Sequence, residues 1–277
     1  MEEFKIRCSC IGKIMGKIGL TDIQEAKLNE LETKTKALTA NQAVELERLR
    51  QKKLFPELPT TAKSYCDEWI KEKLYNRKKN IESKYFDKGN TVEDDSIRFI
   101  GKQLGYSDFE LETGAFVKNE QFFEDEFMCG TPDVIVPKLI VDAKNPWDFS
   151  TFPLFDEVPP NEDYFDQAQG YMNLVGRDNY KLIYTLMDTP ESLIEAEMRR
   201  YAYKNGLEIE DIDYETFREN MTYDDIPDEL KIKIFDIKKD EEYIKSINER
   251  VVMCRKYIAK RLLLLPPKIK ALHGIEG

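Results

Sequence analysis

The sequence predicts a mixed α/β fold, a sheet flanked by helices, and three observations carry that reading. Through the centre of the chain, residues 88–187, segments run in the order helix, three short strands, helix, strand. Apolar residues recur at helical spacing on both sides of that stretch and as short β-rich runs within it. The chain has 277 residues, 41% of them hydrophobic, with 15 Phe, 14 Tyr and 2 Trp, enough to bury a core and to exclude wholesale disorder.

Taken in order, residues 18–56 read as a helical hairpin: Thr21 opens a run with Ile23, Ala26, Leu28 and Leu31, and a second run carries Ala43, Leu46 and Leu49. Pro56 and Pro59 end it, and Thr60 or Thr61 is expected to cap a helix bearing Tyr65, Trp69 and Leu74. A helix over about 89–104 stops at Gly105, and strands are expected over about 112–118, 130–136 and 139–144. The loop 145–161 leads to a helix at about 162–175 and an aliphatic strand at 180–187. Thr189-Pro190-Glu191 starts another helix, which Gly206 ends. Residues 207–230 form an acidic surface insert, 231–237 alternate as a strand, and Ile244, Ile247, Val251, Cys254, Ile258 and Leu262 trace one face of a last helix. A single domain over 1–277 is expected, built around the core at 88–187.

Composition narrows the chemistry. The one histidine, His273, lies near the end of the chain, which argues against histidine-ligated metallohydrolases, H-N-H nucleases and Ser-His-Asp hydrolases. Five scattered cysteines without C-x-x-C pairing point to reduced thiols and not to a zinc ribbon or a disulfide framework. No apolar run reaches a membrane span, and Glu2-Glu3 is the wrong start for a signal peptide, so no membrane is involved and a cytosolic protein is expected. The net charge of -11 would argue against nucleic acid, but residues 208–229 alone hold ten acids against Arg218. Elsewhere Lys5, Arg7, Lys13 and Lys17 fall in a run without acids, and Lys71, Lys73, Arg77, Lys78, Lys79, Lys84 and Lys88 outnumber Glu72, Glu82 and Asp87. A locally basic face is compatible with the acidic total; so are scattered solvated charges.

The most informative stretch runs from Gly130 to Lys144. A hairpin turning at Pro137-Lys138 opposes Val136 to Leu139 and, by the same register, Asp133 to Asp142. Opposed side chains stand about 5 Å apart, and like charges there repel unless something positive lies between them. Neutralising either acid is expected to relieve that repulsion. Strand alternation puts Lys144 on the face of Asp142. Two acids, a lysine and the Ala143 carbonyl form a hard site suited to Mg²⁺ or Mn²⁺; the same residues also fit a plain hairpin with an edge Asp-Lys ion pair. Glu93 extends the buried stripe Ile97, Ile100, Leu104 backwards, as a further ligand or as a capping-box acid three residues after Asn90. In Asp166-Gln167-Ala168-Gln169-Gly170-Tyr171, Gln167 and Tyr171 share a helix face, either to orient a water or phosphate or as an ordinary solvated face.

Together these pieces resemble the PD-(D/E)XK nuclease superfamily: Pro132-Asp133, then Asp142-Ala143-Lys144, with Glu93 upstream and Gln167 and Tyr171 downstream in an αβββαβ order. The Gly89-x-x-x-Glu93 spacing and the Gln-x-x-x-Tyr helix resemble the RecB-type group. Arg7 to Met15 resembles the start of the YqaJ and lambda-type phage recombination exonucleases, in which a serine holds the DNA end; here the pattern falls on Ser9, Ile11 and Ile14. Asp142 stands where the family pattern often has Glu, and Arg7 sits closer to Ser9 than the family arginine does. The resemblance implies a restriction-endonuclease-like core and a metal-dependent 5′-to-3′ exonuclease on double-stranded DNA ends. Asp133, Asp142, the Ala143 carbonyl and Glu93 would hold one or two Mg²⁺ or Mn²⁺ ions. Lys144 and Gln167 would act on the water and the phosphate, and Arg7, Ser9, Lys13, Gln169 and Tyr171 would contact DNA. It further implies a single-strand annealing protein as partner, a ring-forming homo-oligomer, and the cytosol of a bacterial or phage-infected cell. Only Cys254 falls where a related branch clusters three C-terminal cysteines, so no iron-sulfur cluster is expected.

Two other functions compete: a restriction- or junction-type endonuclease of the same superfamily, and a non-catalytic acidic adaptor. The 17-residue loop 145–161 carries Trp147, Phe149, Phe152 and Phe155, placed either to stack on a frayed base or to pack on the sheet.

Overall fold

The computed structural model describes residues 2–78 and 84–274, without the side chains of 84–86; Lys79, Glu82 and the Lys84 side chain of the basic run lie outside the described residues. Where one domain was expected, the chain divides into two compact units, Met1–Lys79 with Glu242–Gly277, and Asn80–Glu241. Among the described residues no helix is long and apolar enough to cross a membrane.

The first unit holds β1 (Ile6–Arg7), α1 (Gly12–Met15), α2 (Asp22–Glu32), α3 (Ala40–Leu54) and α4 (Thr60–Tyr75), with α10 (Glu241–Leu263) and α11 (Pro267–Leu272) from the far end of the chain. The helical hairpin is α2 and α3. Each begins with a capping box, Thr21 with Gln24 and Thr39 with Gln42, which satisfies backbone N–H groups that a helix start leaves open. Leu20, Leu28, Leu31 and Leu49 close its small core. Neither Thr60 nor Thr61 caps α4: Pro59 takes that place, with no side-chain bond, because its fixed φ already suits a helix entry. The stripe Ile244, Ile247, Val251, Cys254 and Ile258 of α10 is buried as the periodicity required. Arg250 ties the helix down by donating to the Ile14 and Gly16 carbonyls at 2.7 Å each.

The second unit is built on a four-stranded sheet. Its elements are α5 (Lys84–Gln103), α6 (Asp108–Glu112), β2 (Phe123–Glu124), β3 (Met128–Gly130), β4 (Val134–Val136), β5 (Leu139–Lys144), α7 (Asp163–Val175), β6 (Asn179–Thr185), α8 (Glu191–Asn205), α9 (Tyr214–Glu219) and β7 (Ile232–Lys238). The strand order is β4-β5-β6-β7. β5 pairs antiparallel with β4 and parallel with β6, and β7 closes the far edge antiparallel. The parallel pair requires a crossover, which α7 supplies. Alternation sorts the sheet faces. Val134, Val136, Val141 and Ile183 pack with Ile97 and Ile100 of α5 and with Leu111 and Phe116; α7 covers the face that carries Asp142.

Two strand expectations are corrected. Residues 112–118 do not form a strand: Ser107 and Glu110 make a capping box that starts α6, and Gly114 turns the chain at φ 81°, leaving only an isolated bridge between Lys118 and Val134. The expected strand 130–136 is split between β3 and β4, since Pro132 offers no N–H to a ladder. All ten acids of residues 208–229 are exposed, while Met221 and Tyr223 are buried and anchor the segment. Of the loop aromatics, Trp147 packs with Ile194 and Met221 and Phe152 is buried, whereas Phe149 and Phe155 are exposed.

Lys88, grouped with the basic surface run by sequence, is fully buried. Its ammonium donates to the Trp147 carbonyl at 2.9 Å and lies 5.6 Å from the centre of the Tyr223 ring. One side chain thus joins α5, the loop after β5 and the acidic segment. Burial pulls its pKa down to about 8, against the Asp148 and Asp188 charges. The unfolded chain keeps a lysine near its ordinary 10.5, so between these values the unfolded state binds more protons and stability must rise with pH. Wild type should therefore gain on a Lys88→Met variant as pH climbs from about 8 to about 10. Denaturant unfolding of both proteins across that window checks this; a constant difference refutes it.

Candidate active site

The site gathers at the carboxyl end of β5. The observed pairs Val134↔Val141 and Val136↔Leu139 continue to Asp133 opposite Asp142. Asp133 lies just outside the ladder and is pinned from two sides. The Asn119 N–H donates to the Asp133 carbonyl at 2.6 Å and the Asn119 side-chain amide to the Pro132 carbonyl at 2.9 Å, while the Asp133 carboxylate accepts the Ala143 N–H at 2.9 Å. Asp142 is 1% exposed. Its Oδ1 accepts from the Gln167 amide at 3.0 Å, and its Oδ2 has the Lys144 ammonium at 2.5 Å in a geometry that makes no hydrogen bond. Lys144 also lies 5.0 Å from the centre of the Tyr164 ring.

The electrostatics follow from setting one buried and one half-buried acid beside one lysine. Burial first, and the Asp142 charge next, push Asp133 up to about 8, against the pull of Lys144 and the Ala143 N–H. Burial alone would lower Lys144, but Asp142 and Asp133 push it up to about 12. In this state the lysine is a cation that compensates the acid pair and not a free base.

Glu93 stands in the third turn of α5, which starts at Lys84, so it is no capping-box acid. Its carboxylate accepts from Lys118 at 2.5 Å, and its charge acts on Asp133. Among the described residues no three acidic, histidine or cysteine side chains converge to hold a metal ion; Glu93 is held by Lys118 instead. Gln167 and Tyr171 are both buried on α7, so their helix face is not a solvated one. Gln169, expected at DNA, is fully buried and clamps the end of β7: its amide donates to the Lys238 carbonyl at 2.9 Å and accepts the Asp240 N–H at 2.8 Å. Neither it nor Tyr171, 5% exposed, presents a surface to a nucleic acid. Arg7, Ser9 and Lys13 belong to the other unit, where all three are exposed and Lys13 lies over the Tyr65 ring.

Sequence reading missed Lys118, Asn119, Tyr164 and Tyr180. The polar Lys118-Asn119 pair after the apolar run Ala115-Phe116-Val117 is a weak signal of an edge position; the tyrosines carry no such signal.

These features define the fold of the PD-(D/E)XK nucleases. No protein-family model and no curated protein sequence matches the chain. Solved structures do. A phage-related exonuclease from Haemophilus somnus 129PT is similar over 93% of this chain and 94% of its own, at 26% identity and a TM-score of 0.64. An alkaline exonuclease, LHK-Exo, from Laribacter hongkongensis shares the fold over 97% of this chain and 91% of its own, at 12% identity and a TM-score of 0.51. The likeness to phage-related exonucleases that the motifs carry is thereby borne out.

The pinned pair refines the expectation that neutralising either acid relieves repulsion. Asp133→Asn keeps an oxygen for the Ala143 N–H, whereas Asp142→Asn strips a partly buried ammonium of its partner. Asp133 has a folded pKa of about 8 against an ordinary 3.8, so its contribution to stability is present at low pH and lost as pH rises through that interval. Without metal, Asp133→Asn should gain on wild type as pH rises from about 4 to about 8, and Asp142→Asn should not. Thermal unfolding across that range checks both.

Proposed function

We propose that the protein is a metal-dependent exonuclease acting on double-stranded DNA ends with 5′-to-3′ polarity. The observation that carries this is the opposed Asp133-Asp142 pair, with Asp142 buried, Lys144 against it and Gln167 above it. The likeness to a phage-related exonuclease over nearly the whole chain supports the end-directed activity.

The residues fit a divalent ion. Two opposed carboxylates and the Ala143 carbonyl are hard oxygen donors, and the buried Asp142 Oδ2 has no hydrogen bond to give up. Glu93 would join them by leaving Lys118. Bound there, Mg²⁺ or Mn²⁺ supplies an activated water and a positive charge against the phosphate. Lys144 turns from Asp142 to position that water and to offset charge growing on the phosphorus. Gln167 fixes the rotation of the Asp142 carboxylate through its amide. Arg7 and Ser9, a guanidinium and a hydroxyl on an exposed segment, suit a terminal 5′-phosphate, with Lys13 nearby in sequence. A single-strand annealing partner, a ring of copies and a cytosolic location complete the proposal, on the family likeness.

Release of nucleotides from linear duplex DNA should require Mg²⁺ or Mn²⁺, and a covalently closed circle should survive. Cleavage of the circle would favour an endonuclease. Asp142→Asn and Lys144→Ala should abolish release, and Gln167→Ala should slow it about 10- to 100-fold, as loss of a residue that orients a ligand does. Full activity of Asp142→Asn would overturn the site.

A wild-type preference for 5′-phosphate over 5′-hydroxyl ends should disappear in Arg7→Ala and Ser9→Ala while metal binding stays unchanged. Rate ratios on matched duplexes measure it, and a preference kept by both variants removes these residues from the end pocket.

A further inference from the structure

Tyr180 on β6 is 1% exposed, and among the described residues its hydroxyl makes no well-aligned hydrogen bond, though Asp142 lies within its reach. A strand position this deeply buried is better filled by Phe, since a hydroxyl left without a partner is costly; an orphan of this kind calls for a role. Its setting supplies one. In the parallel ladder Ile140 pairs with Tyr180 and Asp142 with Leu182, so Tyr180 and Asp142 project from the same sheet face on neighbouring strands. Asp142 and then Asp133 are the charges that act most on the phenol, after burial itself. The other orphan on this face is Asp142 Oδ2, which faces the Lys144 ammonium without a hydrogen bond. A donor without an acceptor and an acceptor without a donor thus share the same buried surroundings.

We propose that Tyr180 is a positioning residue, the reserve donor that holds Asp142 Oδ2 when Lys144 swings to the water and phosphate, a role that rests on the nuclease function above. Lys144 cannot keep its ammonium on Asp142 and also serve the reacting groups. When it leaves, the carboxylate loses the cation that fixes one oxygen while Gln167 still holds the other. The Tyr180 hydroxyl then takes over, so the ligand keeps its orientation through the step.

A double-mutant cycle on the full chain tests this without metal or DNA. Tyr180→Phe alone should leave the unfolding midpoint unchanged or raise it, because the hydroxyl has no bond to lose while Lys144 is in place. Combined with Lys144→Met, it should unfold about 3 °C or more below the sum of the two single shifts, since Asp142 Oδ2 then has neither the ammonium nor the hydroxyl to turn to. Additive shifts overturn the proposal. Should Lys144→Met fail to fold, Tyr180→Phe decides alone through its Mn²⁺ titration, read as the rise in unfolding temperature. The Mn²⁺ midpoint should increase about tenfold, as for loss of a residue that orients a ligand, and an unchanged midpoint rejects the role. A wild type that binds Mn²⁺ and leaves DNA intact overturns the nuclease reading and not the coupling.

Discussion

The second unit is organised by one electrostatic conflict, two carboxylates opposed across a tight hairpin, Asp142 buried beneath a helix and Asp133 half-buried beside it. Antiparallel register leaves no freedom to separate Asp133 from Asp142, and burial removes the water that would screen them. Everything polar nearby answers that conflict. The Ala143 N–H and the Gln167 amide each take one carboxylate oxygen, and the Lys144 ammonium stands at another. Under the proposed function, these carboxylate oxygens would hold the divalent cation, and its charge would offset the repulsion that Lys144 offsets here.

The frame around the site keeps this geometry rigid. α5 and α7 pack on opposite faces of the sheet and enclose strand β5 between them. Gln169 locks the middle of α7 to the end of β7, a structural use of an amide only two residues from one that touches the site. Lys88 fastens the loop after β5 to α5. The loop's two inner aromatics, Trp147 and Phe152, are consumed by packing, and the two outer ones, Phe149 and Phe155, are left at the surface.

Glu93 stands apart from the arrangement that the resemblance implies. Its carboxylate sits on the helix that packs against the other sheet face and is drawn to Lys118 at the β4 edge. Two lysines therefore hold two of the three motif acids. Each is a cation standing in for positive charge that a loaded site would supply, which is a less costly way to keep acids close than leaving them unpaired.

What the sequence determined alone is what depends on local spacing. The opposed acids, the lysine two residues on and the helix carrying Gln167 follow from strand alternation, a short turn and helical periodicity, all fixed within a few residues along the chain. The lone histidine also excluded whole chemistries before any fold was known. Tertiary structure decided the partners. Which oxygen Gln167 holds, that Gln169 is a clamp, that Lys118 captures Glu93 and that Tyr180 lies beside Asp142 all depend on a parallel crossover and on an edge segment well removed along the chain. Such contacts join residues far apart in sequence, and no local periodicity encodes them. A buried tyrosine reads as core until the structure shows that its hydroxyl makes no well-aligned hydrogen bond.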